Sequence, residues 1–516
     1  MVTDPLSQAI AAHQAGRLDE ARTLYTKVLA AQPTNPSLNQ VMGLLELQAG
    51  QLAAATQHFE VILQTQPNAA AALRGRAQAL LAGNDPARAE IDLRSAIATD
   101  PSAVEGHTLL ASAFDAQDRP DDALTCLKTA LALKPGEASI LKSKARILRE
   151  AGRVRDAYPL YEAIAQALPH DADAQASFGT ILWEYTRYED ALATLDRALA
   201  LNPNHTHAQW NRAMVLLMLG RDTEGWAAYD TRWASSEKSP PHADLPHWQG
   251  EPLEGRAILL GSEQGFGDVI QFIRLAPLVA ERGGRVVVEA RPELAELLGT
   301  CDGITEIWTN TNPRPEADIQ IPLASLPNVL KTTTQTLPPA MPYLFPPPGP
   351  DIDLGALDRP RVGLVWSGQQ VPRANRKRSM KPEDLAPILA VTGITFVSLQ
   401  IGGDVSVLQD VAGPAATILD AAPQLTDFGA TARAMAACDA IISIDTGAAH
   451  LAGALGRPGA VLLPYAPDWR WGPKGDTTPW YPTLQLCRQQ EIGDWSAPAT
   501  AAAAWLRNLL ARRPNV

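Results

Sequence analysis

Three short stretches of the chain carry residue types suited to chemistry on an anionic, hydroxyl-bearing ligand. The first, Gly261 to Phe272, reads GSEQGFGDVIQF. Its glycines let backbone approach a ligand closely, and Asp268 opens the helix that follows. A helix N-terminus favours negative charge, so a cleft-facing Asp268 is a candidate base for an acceptor hydroxyl, with simple helix capping as the structural alternative. Gln264, Gly265 and Gly267 form the loop around it. Gly265 and Gly267 also have the G-x-G spacing of a dinucleotide fingerprint, with Glu289 as a possible ribose ligand. Ile270 occupies the third glycine position, and Asp268 would oppose a pyrophosphate there, so an NAD-dependent oxidoreductase is disfavoured.

The second stretch is a basic run, Arg373, Arg376, Lys377, Arg378 and Lys381, preceded by Ser367 and Gly368. In a chain of net charge −12, such clustering suits a phosphate or diphosphate, whereas each cation taken singly is better read as a solvated loop residue. The third is SIDTGAAHLAGALGRP, Ser443 to Pro458. Asp445 ends a strand, Thr446 is placed to cap a helix over Gly447 to Leu455, and small residues open that helix's amides to an anion. His450 lies one turn in, either facing the cleft or packing and capping locally. Nearby, Trp469 and Trp471 of PDWRWG either stack on a base or sugar or belong to the core.

The elements that must hold these stretches are short β-branched runs alternating with amphipathic helices, the pattern of parallel sheets built from β-α units. Strands are expected at Arg256 to Leu260 and Arg285 to Ala290, joined by a helix from about Asp268 to Arg282. Further strands are expected at Arg361 to Trp366, Ile394 to Leu399, Asp439 to Ile444 and Gly459 to Pro464. Proline-rich LPPAMPYLFPPPGP, Leu337 to Pro350, divides the two groups. The chemistry then lies beyond the carboxyl ends of strands, in a cleft between two α/β lobes.

The first half repeats with a period of 34 residues. Pro33, Pro67, Pro101, Pro135, Pro169 and Pro203 keep that step, as do Ala21, Ala55, Ala89, Ala123, Ala157 and Ala191, with Gly225 next. A turn register follows: Gly16, Gly50, Asn84, Asp118, Gly152, Thr186 and Gly220. Each unit reads as two antiparallel helices, the turn residue breaking one, the proline ending the other, and the small residue marking their close approach. The period ends after Trp233, and a linker rich in proline and polar residues covers 234–254. The expected domains are a repeat array over 1–233, a first lobe over 255–345 and a second over 346–516.

Composition is globular, with 46% hydrophobic and 19% charged residues, and the acidic balance argues against a nucleic-acid partner. The four cysteines are too scattered for a disulfide framework or a zinc site. His205 and His207 read as loop residues rather than metal ligands. With neither a signal segment nor a long apolar run, a cytoplasmic location is expected.

Segments such as GRLDEARTLYTKVLAAQP and TRYEDALATLDRALALNP resemble the tetratricopeptide repeat, an α-solenoid family whose concave face usually holds a peptide or protein partner. GDV after the first strand, with DTGAAHLAGALGRP near the end, resembles the bacterial heptosyltransferase type of glycosyltransferase and its repeat-bearing relatives over roughly residues 255–495. The resemblance implies a GT-B fold of two Rossmann-like lobes facing a cleft, with nucleotide-sugar as donor substrate and no cofactor or metal. It implies Asp268 as general base, and Ser367, Arg376, Lys377, Arg378, Asp445, Thr446, Gly447 and His450 on the donor side. Gln264, Gly265 and Gly267 then lie in the acceptor-side loop. The heptosyltransferases lack repeats, so their lipid-sugar acceptor does not carry over; relatives with repeats suggest serine or threonine of a protein, a flagellin being one such acceptor. It further suggests a terminal helix from about Pro498 to Ala511 crossing back onto the first lobe. An interaction scaffold with an inactive transferase-like half is the competing reading.

Overall fold

The structure, a computed structural model, describes residues 5–233, 242–355, 359–368, 377–414 and 416–512. The chain divides into two compact units, Met1–Gln166 and Ala167–Val516.

The first unit is built of paired helices running from Pro5–Gln14 to Val154–Ala167. The repeat registers have direct physical counterparts. Gly16, Gly50, Asn84, Asp118 and Gly152 all adopt left-handed backbone, φ between 60° and 79°, where the chain reverses between helices. Ala21, Ala55, Ala89, Ala123 and Ala157 have no exposed surface. A larger side chain there would push the paired helices apart.

The second unit opens with the same pattern, in helices Ala172–Glu184, Tyr188–Leu201, Thr206–Met218 and Asp222–Tyr229. Thr186 and Gly220 hold the left-handed turns, and Ala191 is fully buried. Gly225 is the alanine-register position of the last pair, and a Cβ on it would lie 2.6 Å from the Leu217 side chain. The period expected from sequence therefore survives to the end of the array, and a compact unit takes in both the last repeats and the α/β region.

That region contains two wholly parallel sheets. The first has strands β1 (Ala257–Gly261), β2 (Arg285–Glu289), β3 (Glu306–Trp308) and β4 (Ile319–Pro322), ordered β3-β2-β1-β4. The second has β5 (Arg361–Val365), β6 (Thr395–Ser398), β7 (Thr417–Asp420), β8 (Ala440–Ile444), β9 (Gly459–Leu463) and β10 (Leu484–Arg488), ordered β10-β9-β8-β5-β6-β7. Strand order reverses beside β1 in the first sheet and between β5 and β8 in the second, the two places where loops part and leave a crevice. Val365 and Ser443 are paired, so the loops after β5 and β8 leave the sheet at one level.

Several expectations need correction. The helix expected over Asp268 to Arg282 is broken into Phe266–Phe272, a 3-10 turn at Ile273–Leu275, and Ala276–Ala280, where Pro277 cannot continue the backbone ladder. Strands β3, β4, β7 and β10 were not anticipated from the sequence. The terminal helix, Ser496–Ala511, does not brace the first lobe. Its Ala499, Ala502, Ala503 and Leu506 face joins the second lobe's core with Leu462 and Cys487, because small residues let it lie flat over β9 and β10. Within the expected linker, residues 234–241 lie outside the described residues, whereas Trp248 is buried and its amide donates to Gln320 of β4 at 2.9 Å.

Thr186 is a β-branched residue at φ 57°, a costly conformation that its counterpart Gly220 adopts freely. Thr186→Gly is expected to stabilise the second unit by roughly 1 kcal/mol, read as a raised urea midpoint. A lowered midpoint would show that the Thr186 side chain matters more than its backbone strain.

Candidate functional site

The loops after β1, β5, β6 and β8 converge on a cleft of about 1070 Å³ between the two sheets. The last repeat supplies part of its wall, through Trp210, Met214 and Tyr229. This contribution was not foreseen, since the repeat pattern assigns such residues only to a helix face. The repeat end is fastened beside β1. Arg232, 7% exposed, donates to both carboxylate oxygens of Glu263 at 2.8 and 2.6 Å and to Ser325 Oγ at 2.8 Å. Trp226 packs edge-on against Phe272, Trp469 and Trp480, with ring centroids 5.8, 5.1 and 6.4 Å away.

Gln264, Gly265, Gly267 and Asp268 all line the cleft. Gln264 adopts φ 62° and exchanges hydrogen bonds with the Tyr229 hydroxyl. Asp268 does cap its helix: its Oδ2 accepts from the Gly265 amide at 2.9 Å. Its Oδ1 accepts from the Arg470 guanidinium. Gly267 has a reason unrelated to dinucleotides, since a Cβ there would lie 2.6 Å from Cδ2 of His450.

Arg470 is the residue that sequence reading passed over, although it stands between the two tryptophans of PDWRWG. It is 8% exposed, bonds Asp268 and Gln271 of the first lobe, donates to Asp468 at 2.7 Å, and stacks on Trp469. Burial works against its charge, but Asp468 and Asp268 outweigh burial and raise its pKa. Trp469 and Trp471 are buried, so both belong to the core; Trp469 also lines the cleft.

On the second lobe, Ser367, Arg378, Asp445, Thr446, Gly447 and His450 line the same cleft. Gln400 orders the loop after β5 by accepting from the amides of Trp366 and Ser367 at 3.2 and 2.9 Å. Thr446 does not cap its helix as expected. Its hydroxyl bonds Ile444 and Ser443 within the preceding turn, so its side chain leaves the first amides of Gly447–Ala454 uncapped. Such amides favour an anion. Lys377 instead pairs with Glu184 of a repeat helix at 2.6 Å, and neither it nor Lys381 lines the cleft. Arg373 and Arg376 lie outside the described residues.

Asp445 is pushed up to about 6 by burial and by nearby Asp468, with Arg470 and Arg378 opposing. His450 is lowered well below its ordinary value by burial and by Arg470, so the ring is neutral. Among the described residues no group of three or more candidate ligands is arranged to hold a metal, and no helix is long and apolar enough to cross a membrane.

Comparison with known proteins bears on this arrangement. Residues 12–79, 108–172 and 148–217 match tetratricopeptide repeat families. Residues 409–491, which include β8, the Gly447–Ala454 helix and Arg470, match glycosyltransferase family 9 (heptosyltransferase). The chain joins tetratricopeptide repeats to a glycosyltransferase family 9 domain. This supports a glycosyltransferase, on a parallel-sheet architecture consistent with a GT-B-like domain. The chain is 28% identical over 335 residues to protein FlbA of Caulobacter vibrioides, covering 59% of this chain and 55% of that protein, so it spans about half the relative's length. Among solved structures, a tetratricopeptide repeat protein from Parabacteroides merdae is 12% identical with a TM-score of 0.40, covering 45% of this chain and 93% of that one. The Thermus thermophilus repeat protein TTC0263 is 21% identical with a TM-score of 0.31, covering 34% and 97%.

The Asp445 environment gives a testable pH dependence. Because its folded value is raised, ionisation opposes folding; the penalty is absent below about pH 4 and complete above about pH 6. Asp445→Asn is expected to be more stable than the parent at pH 8, by on the order of 2 kcal/mol, the advantage fading as pH falls through 6 towards 4. Denaturation curves across that range check it, and an advantage constant with pH would contradict the assignment.

Proposed function

We propose that the protein is a metal-independent GT-B glycosyltransferase that moves a sugar from a nucleotide-sugar donor to a serine or threonine of a protein acceptor bound by its repeats. The observation that carries this reading is one cleft holding Asp268 on the first lobe opposite the uncapped Gly447–Ala454 amides and Arg378 on the second. A hydroxyl oxygen of the acceptor attacks the anomeric carbon, the bond from that carbon to the phosphate oxygen breaks, and its electron pair leaves with the nucleotide. Arg378 and the helix amides stabilise the departing phosphate, the work that a metal does elsewhere. Asp268 takes the hydroxyl proton. Both its oxygens already accept one hydrogen bond, and a carboxylate keeps further lone pairs for a third partner.

The repeats raise the effective concentration of the acceptor at the cleft. A flagellin acceptor, reached before export from the cytoplasm, suits an enzyme of this layout. The scaffold reading draws on one observation, the engagement of Asp268 by Arg470, which ties up the carboxylate that turnover would use.

The decisive experiment is a thermal-shift panel of UDP, GDP, ADP and CMP, each alone and as a sugar conjugate. One base is expected to raise the melting temperature, with about 2.7 kcal/mol of stabilisation at a hundredfold excess over the dissociation constant. Arg378→Ala is expected to weaken that binding roughly tenfold or more, by loss of a charge-assisted contact. Asp268→Asn is expected to bind the donor and lose transfer by about two orders of magnitude or more. Should no nucleotide shift the transition of the folded protein at millimolar concentration, the transferase reading falls and the scaffold stands.

A further inference from the structure

The last repeat brings two side chains into the cleft to which the transfer scheme gives no task. Trp210 and Met214 stand one turn apart on the Thr206–Met218 helix and line the cleft together. Met214 is buried and Trp210 half-buried. Trp210 rests on Tyr229, with ring centroids 5.0 Å apart and planes at 46°. The Tyr229 hydroxyl is hydrogen-bonded to the Gln264 side chain at 3.0 and 2.8 Å, in the loop that leads into Asp268. The tryptophan is therefore set beside the candidate base, on a support that a hydrogen bond fixes to the base's own loop.

Charge divides the cleft. Among the described residues that line it, the cations are Arg378 and Arg470, both from the second lobe. The lining residues from the last repeat and the first lobe include two carboxylates, Asp268 and Glu293, and no cation. A phosphate therefore belongs with the second lobe, and the repeat's wall is left to a part of the ligand without negative charge. That wall also has little to offer a polar group. Gln264 is engaged with Tyr229, and each Asp268 oxygen already accepts one hydrogen bond. A sugar laid on Trp210 would bring several hydroxyls, each needing a partner once water is displaced, whereas an aliphatic or aromatic side chain needs none. A flat indole and a flexible thioether suit apolar groups of varied shape.

We propose that Trp210 and Met214 form an acceptor subsite that takes an apolar or aromatic side chain next to the serine or threonine being modified. The last repeat then builds part of the site it serves. Acidic residues are selected against at that point, because Asp268 and Glu293 repel them on the same side of the cleft. Both subsite residues touch the acceptor away from the reacting oxygen, so they act on which acceptor is chosen rather than on the transfer itself. The occupant's identity as acceptor rests on the proposed transferase function; the wall's preference for an uncharged apolar group does not.

The test uses the full chain with fluorine-labelled tryptophan, the Trp210 signal being the one lost in Trp210→Phe. Three capped heptapeptides are titrated, with a central serine flanked by leucine and phenylalanine, by glycines, or by glutamates; the disaccharide cellobiose is the fourth ligand. The leucine and phenylalanine peptide is expected to move the Trp210 signal at roughly tenfold lower concentration than the glycine peptide, as burial of one apolar side chain requires. The glutamate peptide and cellobiose are expected to leave the signal in place. No movement with the apolar peptide at millimolar concentration, equal movement with the glutamate peptide, or movement with cellobiose alone overturns the proposal. In the second arm, the sugar nucleotide that raises the melting temperature is added and transfer to the apolar peptide is followed. Trp210→Ala is expected to raise the peptide KM roughly tenfold while the donor still raises the melting temperature. An unchanged KM, loss of the donor's effect in the folded variant, or no transfer to a peptide that moves the Trp210 signal overturns the acceptor role. Should Trp210→Ala fail to fold, the first arm decides in the parent protein. Should no sugar nucleotide stabilise the protein, the transferase reading is what fails, and the first arm still decides what the wall accepts.

Discussion

The geometry of the cleft depends on one buried cation. Arg470 is held by Asp268 and Gln271 from the first lobe and by Asp468 from its own, and its guanidinium plane lies on Trp469. Trp469 in turn packs edge-on against Trp226 of the last repeat. A buried guanidinium persists only where carboxylates and hydrogen-bond acceptors replace its lost water, so its charge dictates where Asp268 and Asp468 stand. Through these contacts a single residue ties the candidate base, both lobes and the repeat end into one arrangement. Asp445 responds to the same group of charges: Asp468 raises its pKa and Arg470 opposes the rise.

Small residues make the space in which this arrangement fits. Gly267 leaves room for the His450 ring, and Gly453 leaves room for Tyr481, whose hydroxyl reaches back to that ring. Gly225 does the same for the last helix pair, which lets Trp226 and Tyr229 approach the first lobe. Glycines that look in sequence like a nucleotide fingerprint are, at Gly267, a packing requirement imposed by a residue some 180 positions away. The cleft is therefore shaped by protein–protein packing before any ligand is considered.

The last repeat has a double character. By sequence and by its left-handed turn at Gly220 it is a repeat like those before it. By its contacts it belongs to the α/β region, since Arg232 pairs with Glu263 and Trp226 joins Phe272, Trp469 and Trp480. Trp210 and Met214 of this repeat line the cleft, a stretch of wall that the α/β region alone would lack.

What the sequence determined by itself is what depends on local chemistry and on period. The 34-residue registers gave the helix pairs, because left-handed turns select glycine, asparagine or aspartate and close helix contacts select alanine. The β-branched runs gave β1, β2, β5, β6, β8 and β9, and the loops after them gave Asp268, Ser367, Arg378, Asp445, Thr446, Gly447 and His450, which the fold does bring together. Tertiary structure alone decided the rest. Short strands such as β3 and β7 exist only because a neighbour supplies their hydrogen bonds. Lys377 pairs with Glu184, Asp268 with Arg470, and Trp210 reaches the cleft, each across distances in sequence that no local pattern encodes. Hydrogen bonds, ion pairs and excluded volume are settled by which atoms finally meet, and the buried partners of a site come from elsewhere in the chain.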